Sequence, residues 1–356
     1  MSATATDQAT GANPNAPRAQ GHARRTPSRV VVWLLGVAAL VGLIGASLAI
    51  GARDIPLSTV LDALRYGRDV TLDAAVVVDG RLPRTLIGLV AGVGLGVSGA
   101  LIQAVTRNPL ADPGILGVSF GAAFAVAIAV GVLGITTPTG YVWFAFLGAL
   151  VATVVVYLIG SAGRHSASPV RLVLAGVAVG AVLSGITSAV VLADPEGFAA
   201  MRAWEAGSIA DRGWAAIGPV WPFIAVGVVI ALALTPSLNA VALGDDLAAS
   251  LGAHVLRTRI LAVVAVTLLA GGATALAGPI AFVGLMVPHL ARWIVGPDQR
   301  WIVANTVVLA PILLLLADVL GRVITRPGEL PVGIVTAFVG APVLIILIRR
   351  QRVSAL

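Results

Sequence analysis

Ten apolar runs, most of them about as long as a bilayer is thick, decide what this chain can fold into. A helix needs about 20 apolar residues to cross the hydrocarbon core. Runs that approach or exceed that length lie at roughly 30–51, 85–106, 114–134, 139–160, 170–193, 214–235, 260–278, 280–295, 301–321 and 331–348. Hydrophobic residues make up 58% of the chain, charged residues only 11%, and the mean hydropathy is +1.00. A soluble domain is nearer a quarter charged. The expected fold class is therefore an all-α polytopic membrane protein with about ten transmembrane helices. The seventh and eighth runs are interrupted only by Gly278-Pro279, which leaves two short crossings or one crossing plus a re-entrant piece.

The charged residues exclude several function classes. The chain has no cysteine, so disulfides, thiolate metal sites and thiol catalysis are absent. All 23 basic residues are arginine, and a Walker-type phosphate loop requires a lysine, so this chain supplies no such ATPase motif. The net charge of +7 belongs to arginines flanking apolar runs, a pattern of membrane topology and not of nucleic-acid binding. No Ser/His/Asp set, catalytic carboxylate pair or glycine-rich phosphate loop is present, so the chain reads as no enzyme and holds no cofactor. His289 has no second ligand at metal spacing and reads as structural.

Residues 1–28 carry almost no large apolar side chains and read as a disordered tail. The apolar run that follows is longer than a signal-peptide core and lacks an evident cleavage site, so it reads as an uncleaved first helix. With that tail inside and ten crossings, fourteen arginines fall on the inner side and nine on the outer, as the positive-inside rule favours. Both termini are then cytoplasmic. If 280–295 did not cross, the bias would almost vanish.

Four local patterns stand out. Gly88, Gly92 and Gly96 recur every fourth residue, with Gly99 nearby, and mark a face where another helix approaches closely. Asn108-Pro-Leu-Ala-Asp-Pro-Gly114 is a turn by composition, and its prolines end both flanking helices. Arg81, Arg84, Arg322 and Arg326 sit at the outer ends of the second and ninth runs. Arg322 follows Asp318 by four residues, which suits a pair on one helix face. From the residues alone, solvated flanks and docking forks for partner carboxylates serve equally well. Leu243 to Gly252 holds a short helix pattern with Asp245 and Asp246 in its first turn and Gly252 at its end. A solvated connector and a working contact are both open for it.

Several motifs occur in a family's order: Arg81-Leu-Pro-Arg84, Gly99-Ala-Leu-Ile-Gln103, Asn108-Pro-Leu-Ala-Asp-Pro-Gly-Ile-Leu-Gly117, and Leu243-Gly244 with Leu251-Gly252. Gly278-Pro-Ile-Ala-Phe-Val-Gly284-Leu-Met-Val-Pro-His289 follows, then Glu329-Leu-Pro-Val-Gly333 with Gly340-Ala-Pro342. Over residues 30–350 the chain resembles the FecCD-type permease subunits of binding-protein-dependent ABC importers for iron–siderophores, haem and cobalamin. The resemblance implies a type II ABC importer permease of the bacterial cytoplasmic (inner) membrane. It implies a second permease subunit, two cytoplasmic ATPases that bind the ATP and Mg, and an extracytoplasmic siderophore-binding protein.

By the same resemblance, Arg81, Arg84 and Arg322 face carboxylates on the binding protein. The segment comprising Leu243, Gly244, Asp245, Asp246, Leu247, Ala248, Leu251 and Gly252 is the coupling helix that enters the ATPase. The function so implied is passage of an iron–siderophore chelate by alternating access, with haem or cobalamin as the other cargoes. An ion-coupled secondary transporter would also account for ten segments, but no acid lies near an expected midplane. A scaffold or receptor without transport is the third class.

Overall fold

The computed structural model of the chain describes residues 26–51, 53–162, 169–193 and 195–353, so most of the expected tail 1–28, and Arg164, lie outside the described residues. Among the described residues all regular structure is helical. In chain order the helices are α1 (Thr26–Ala49), α2 (Leu57–Tyr66), α3 (Leu72–Thr106), α4 (Val118–Gly131) and α5 (Pro138–Ser161). Then come α6 (Pro169–Ala193), α7 (Pro195–Glu205), α8 (Trp221–Val241), α9 (Asp245–Ser250) and α10 (Val255–Ala277). The last are α11 (Val283–Val295), α12 (Gln299–Ile324) and α13 (Val332–Val353). Seven of these, α1, α3, α5, α6, α8, α10 and α12, are long and apolar enough to cross a membrane; α4, α11 and the first part of α13 are shorter apolar helices. These ten fall on the ten apolar runs.

Boundaries shift where turn chemistry intervenes. The third run does not become helical at residue 114. Asp112 accepts a hydrogen bond from the Gly114 N–H (2.7 Å) and caps a 3₁₀ turn over Pro113–Leu116, so α4 starts only after Gly117, whose φ is +76°. The sixth run begins later than 214, because Trp214–Ala216 forms a separate 3₁₀ turn and Pro222 stands in the first turn of α8. The helix α7 lies in what reads as a loop by sequence. Its Met201 and Trp204 are each 2% exposed, so packing supports a segment too short and polar to register as a crossing.

The seventh and eighth runs are two helices separated by a break at residues 278–282, with φ of +75° at Gly278 and +69° at Phe282. A side chain at Gly278 would overlap the Trp204 carbonyl, so glycine is needed there both for the backbone angle and for the close approach. Gly284, two residues after the break, lies against the Leu95 carbonyl in the interior of α3, so α11 starts inside the bundle. Its 13 residues reach about 20 Å, less than the hydrocarbon thickness. Irregular backbone at such depth is tolerated when buried in protein. Here Ser208 donates to the Ala277 carbonyl (2.8 Å) and Gly333 to the Gly207 carbonyl (2.9 Å), tying the 206–208 segment to α10 and α13.

α3 is the central element. Of its apolar window 78% is buried, against 6% for α1 at the periphery. The glycine face explains how a central helix admits so many neighbours. A Cβ on Gly92 would stand 2.8 Å from the Pro311 backbone of α12; one on Gly88 would meet Leu315 (2.6 Å), and one on Gly96 would overlap Ala310. On other faces, Gly94 backs onto the Leu269 carbonyl of α10, and Gly99 lies directly on the Gly284 backbone of α11. In lipid, where water does not drive helices together, such backbone approach is what gives them packing contact. Gly92→Ala should therefore destabilise the protein by about 1–3 kcal/mol through overpacking. Gly42→Ala on α1, with no atom within 4 Å of the added carbon, should not. Thermal unfolding of the two variants in the same detergent checks the contrast.

Candidate functional sites at the two ends of the bundle

One end of the bundle carries the arginines singled out by sequence. The structure gives Arg81 and Arg322 a task inside the fold. α1 ends at Ala49, and the last carbonyls of a helix have no partner within it. Arg81 donates to the carbonyls of Leu48 (2.8 Å), Ala49 (2.6 Å) and Arg53. Arg322 donates to the carbonyls of Ser47 (2.9 Å) and Ile50 (3.0 Å) and to the Ser47 hydroxyl (2.9 Å). Two guanidinium groups thus close the C-terminus of α1, where cations are also favoured by the helix dipole. The residues are only 7% and 2% exposed. In this conformation neither is the outward fork that their position suggests.

Arg84 is placed differently. It donates twice to Asp318 through Nε and once through Nη2 at 2.7 Å, and its Nη1 reaches Glu329 at 2.6 Å. The expected pair four residues apart, Asp318 with Arg322, is also formed at 2.7 Å. The result is a neutral cluster of two guanidinium and two carboxylate groups, graded in exposure. The side chains of Asp318, Arg322 and Arg84 are 1%, 2% and 13% exposed, while Glu329 is 36% exposed. Arg326 stands apart and pairs with Asp54 at 2.7 Å, which holds that carboxyl below its usual range. A cavity of about 550 Å³ opens at this end, lined by Arg53, Arg81, Arg84, Arg212, Arg322 and Glu329 among others.

The opposite end joins two patterns that the sequence left separate. Asp245, in the first turn of α9, binds Arg107 at 2.6 Å and Arg259 at 2.9 Å. Arg107 closes α3 in the left-handed conformation (φ +51°) and opens the Asn108–Gly114 turn, so one carboxylate fastens α9 to the end of α3 and the start of α10. Gly244 and Gly252, with φ of +114° and +81°, bracket the short helix. Ala248 is fully buried, whereas Leu243, Leu247 and Leu251 are 62%, 49% and 63% exposed. Leu247 lies within the helix, while Leu243 precedes Gly244 and Leu251 follows the last helical residue. Asp246 is exposed and free of any ion pair here.

A second cavity, about 670 Å³, lies between α4, α7, the 279–281 break and α13. Asp112, Glu205, Phe120 and Phe338 line it, the last 81% exposed. Burial raises the Asp112 carboxyl above the usual carboxylate range, with the Gly114 N–H pulling the other way. His289 packs against Trp293 (5.4 Å between rings) with neither ring nitrogen hydrogen-bonded, and among the described residues no group of side chains is arranged to hold a metal ion. Glu329 is the residue that sequence reasoning passed over. It opens a quoted motif, but its partner lies 245 residues away.

Comparison with known proteins places this geometry in a family. The profile of the FecCD transport family matches residues 39–350. The chain is 49% identical to the ferric enterobactin transport system permease protein FepD of Escherichia coli (strain K12), over 86% of this chain and 91% of that one. It is 38% identical to the Fe(3+)-citrate import system permease protein YfmD of Bacillus subtilis (strain 168), over 92% and 97%. Among solved structures, an ABC transporter of metal-chelate type in an inward-facing conformation superposes with a TM-score of 0.79 at 27% identity, covering 90% of this chain and 99% of that one. With its all-helical bundle, this polytopic membrane chain belongs to the FecCD transport family.

Proposed function

We propose that the chain is the permease subunit of an ABC importer that carries a ferric-siderophore chelate across the bacterial cytoplasmic membrane. The observation that carries the ABC class is the exposure of Leu247 on the short helix α9, and of Leu243 and Leu251 beside it, where Asp245 pins the helix to α3 and α10. Exposed leucines there suit a hydrophobic groove on an ATPase, which would bind the Mg-ATP that this chain has no motif to hold. The cargo class rests on the relatives, whose own activities concern ferric enterobactin and ferric citrate. In this reading the Asp245 end faces the cytoplasm together with both termini, and the Arg84 end faces outward.

The parts then have distinct tasks. An extracytoplasmic binding protein settles on the Arg84 end, with Arg81 and Arg322 holding α1 and the cluster in shape beneath it. Closure of the ATPases moves α9, and the Asp245 bridges pass that movement to α3 and α10. The cavity of about 670 Å³ is half of a passage completed by a second permease subunit. No bond in the cargo is made or broken by this chain; it binds, excludes and releases.

Three outcomes test the proposal. In proteoliposomes holding both permease copies, the ATPase and the binding protein, uptake of a radiolabelled ferric catecholate should require ATP and the binding protein; uptake that ran on an ion gradient without the ATPase would overturn the ABC class. Leu247→Asp with Leu251→Asp should abolish ATP-dependent uptake and ATPase co-purification while the binding protein still docks. Arg84→Ala should weaken docking about tenfold or more, the scale of truncating one partner of a charged contact, with ATPase assembly retained. Asp318 keeps Arg322 as its partner in that variant, so the fold should survive.

A further inference from the structure

We infer that Glu329 is an internal stand-in for the binding protein's docking carboxylate, occupying the Arg84 fork until that protein displaces it. The inference rests on the docking proposal for Arg84 and goes beyond it by naming what the binding protein must compete with.

The argument begins with the guanidinium itself. Arg84 spends Nε and Nη2 on Asp318, which is 1% exposed, and only Nη1 on Glu329, which is 36% exposed. The cavity of about 550 Å³ opens over this arrangement and includes both Arg84 and Glu329 in its wall. An acidic side chain arriving through that cavity meets Glu329 first. It can take the Nη1 contact without disturbing the Asp318 pair, which also serves Arg322 at 2.7 Å. Replacing one carboxylate by another conserves the charge of the cluster, so the exchange leaves no buried guanidinium bare. It also keeps docking reversible, because every gain from the incoming carboxylate is set against the loss of the Glu329 bond.

Glu329 is also well placed to report the exchange. The next residue, Leu330, donates its N–H to the Gly321 carbonyl near the end of α12 (3.2 Å). Four residues on, Gly333 donates to Gly207 (2.9 Å), beside the Glu205–Ala206 wall of the larger cavity. Residues 329–333 therefore join the docking end to the start of α13, which carries Phe338 into that cavity. Release of Glu329 from Arg84 removes the ionic anchor of this segment and leaves it held by the packing of Leu330 and Val332.

The test uses the full permease–ATPase complex in nanodiscs, without nucleotide, titrated with its cognate binding protein at low and moderate salt. Glu329→Gln should tighten docking about fivefold, the upper range for an exposed ion pair, since the competitor for the fork is gone. Glu329→Asp, shorter by one methylene but still charged, should fall between wild type and Glu329→Gln. The gain should vanish when Glu329→Gln is placed on Arg84→Ala. Unchanged or weaker docking of Glu329→Gln, or a gain that persists on Arg84→Ala, would overturn the exchange while leaving Arg84 docking standing. Unaltered docking of Arg84→Ala alone would overturn the docking proposal itself, and the exchange with it. Co-purification of the ATPase with each variant shows that the bundle is folded.

Discussion

The close approach of α3 and α12 is the constraint on which the rest of the molecule depends. At four-residue steps along α3, Arg84, Gly88, Gly92 and Gly96 meet Asp318, Leu315, Pro311 and then Thr306 with Ala310, in reverse order along α12. The two helices are antiparallel, and the ion pair is the next rung of the glycine seam. Had Gly92 carried a side chain, the backbones would separate, and Arg84 would no longer reach Asp318 with three hydrogen bonds. Packing in the middle thus sets the electrostatics at the end. The carboxylate that Arg84 meets is 1% exposed and shared with Arg322, so a looser fit would leave Asp318 buried with one of its two guanidinium partners.

The arginines at this end divide between two physical tasks, and their neighbourhood in sequence conceals it. Arg81 and Arg84 are three residues apart on α3, yet one faces the end of α1 and the other faces α12. α1 touches the bundle on one side only, so its last carbonyls need donors that arrive from elsewhere. Two long, planar, multiply donating side chains suit that need better than two ammonium groups would, which fits a chain whose basic residues are all arginine. With α1 held this way, the loop after it is positioned to supply Gly51 and Arg53 to the outer cavity.

Legibility in the sequence followed the range of the interaction. The ten apolar runs are local signals of composition and length, and each corresponds to a helix. The Gly88/Gly92/Gly96 face was legible because helical period alone brings those residues into line. The short helix at Asp245 was legible from its acids and its closing glycine, but the leucines in and beside it gain meaning only when Ala248 proves buried and Leu243, Leu247 and Leu251 exposed. What sequence could not show lies far apart along the chain. Arg322 caps residues some 275 positions earlier, Glu329 reaches Arg84 across 245, and Arg107 meets Asp245 across 138. The helix α7 was hidden for a different reason: its stability comes from burying Met201 and Trp204 beneath other helices, not from its own composition.

The Asn108–Gly114 turn, conspicuous in sequence for its two prolines, acquires a mechanical reason from its neighbours. Arg107 at its start holds Asp245, and Asp112 at its far side caps the 3₁₀ turn that delays α4 and lines the larger cavity. Asn108 closes it locally, its side chain accepting from the Leu110 N–H at 2.9 Å. The turn thus joins α9 and the end of α3 on one side to the wall of the larger cavity on the other. From Arg84 to Thr106 α3 runs about 33 Å, close to the hydrocarbon thickness. A single helix, packed through its glycines on several faces, therefore has an ion pair at each end. At Gly92 and Gly99 it meets the backbones of α12 and α11 with no side chain of its own between, and at Gly88 and Gly96 it receives Leu315 and Ala310, so an added carbon at any of the four positions has no room.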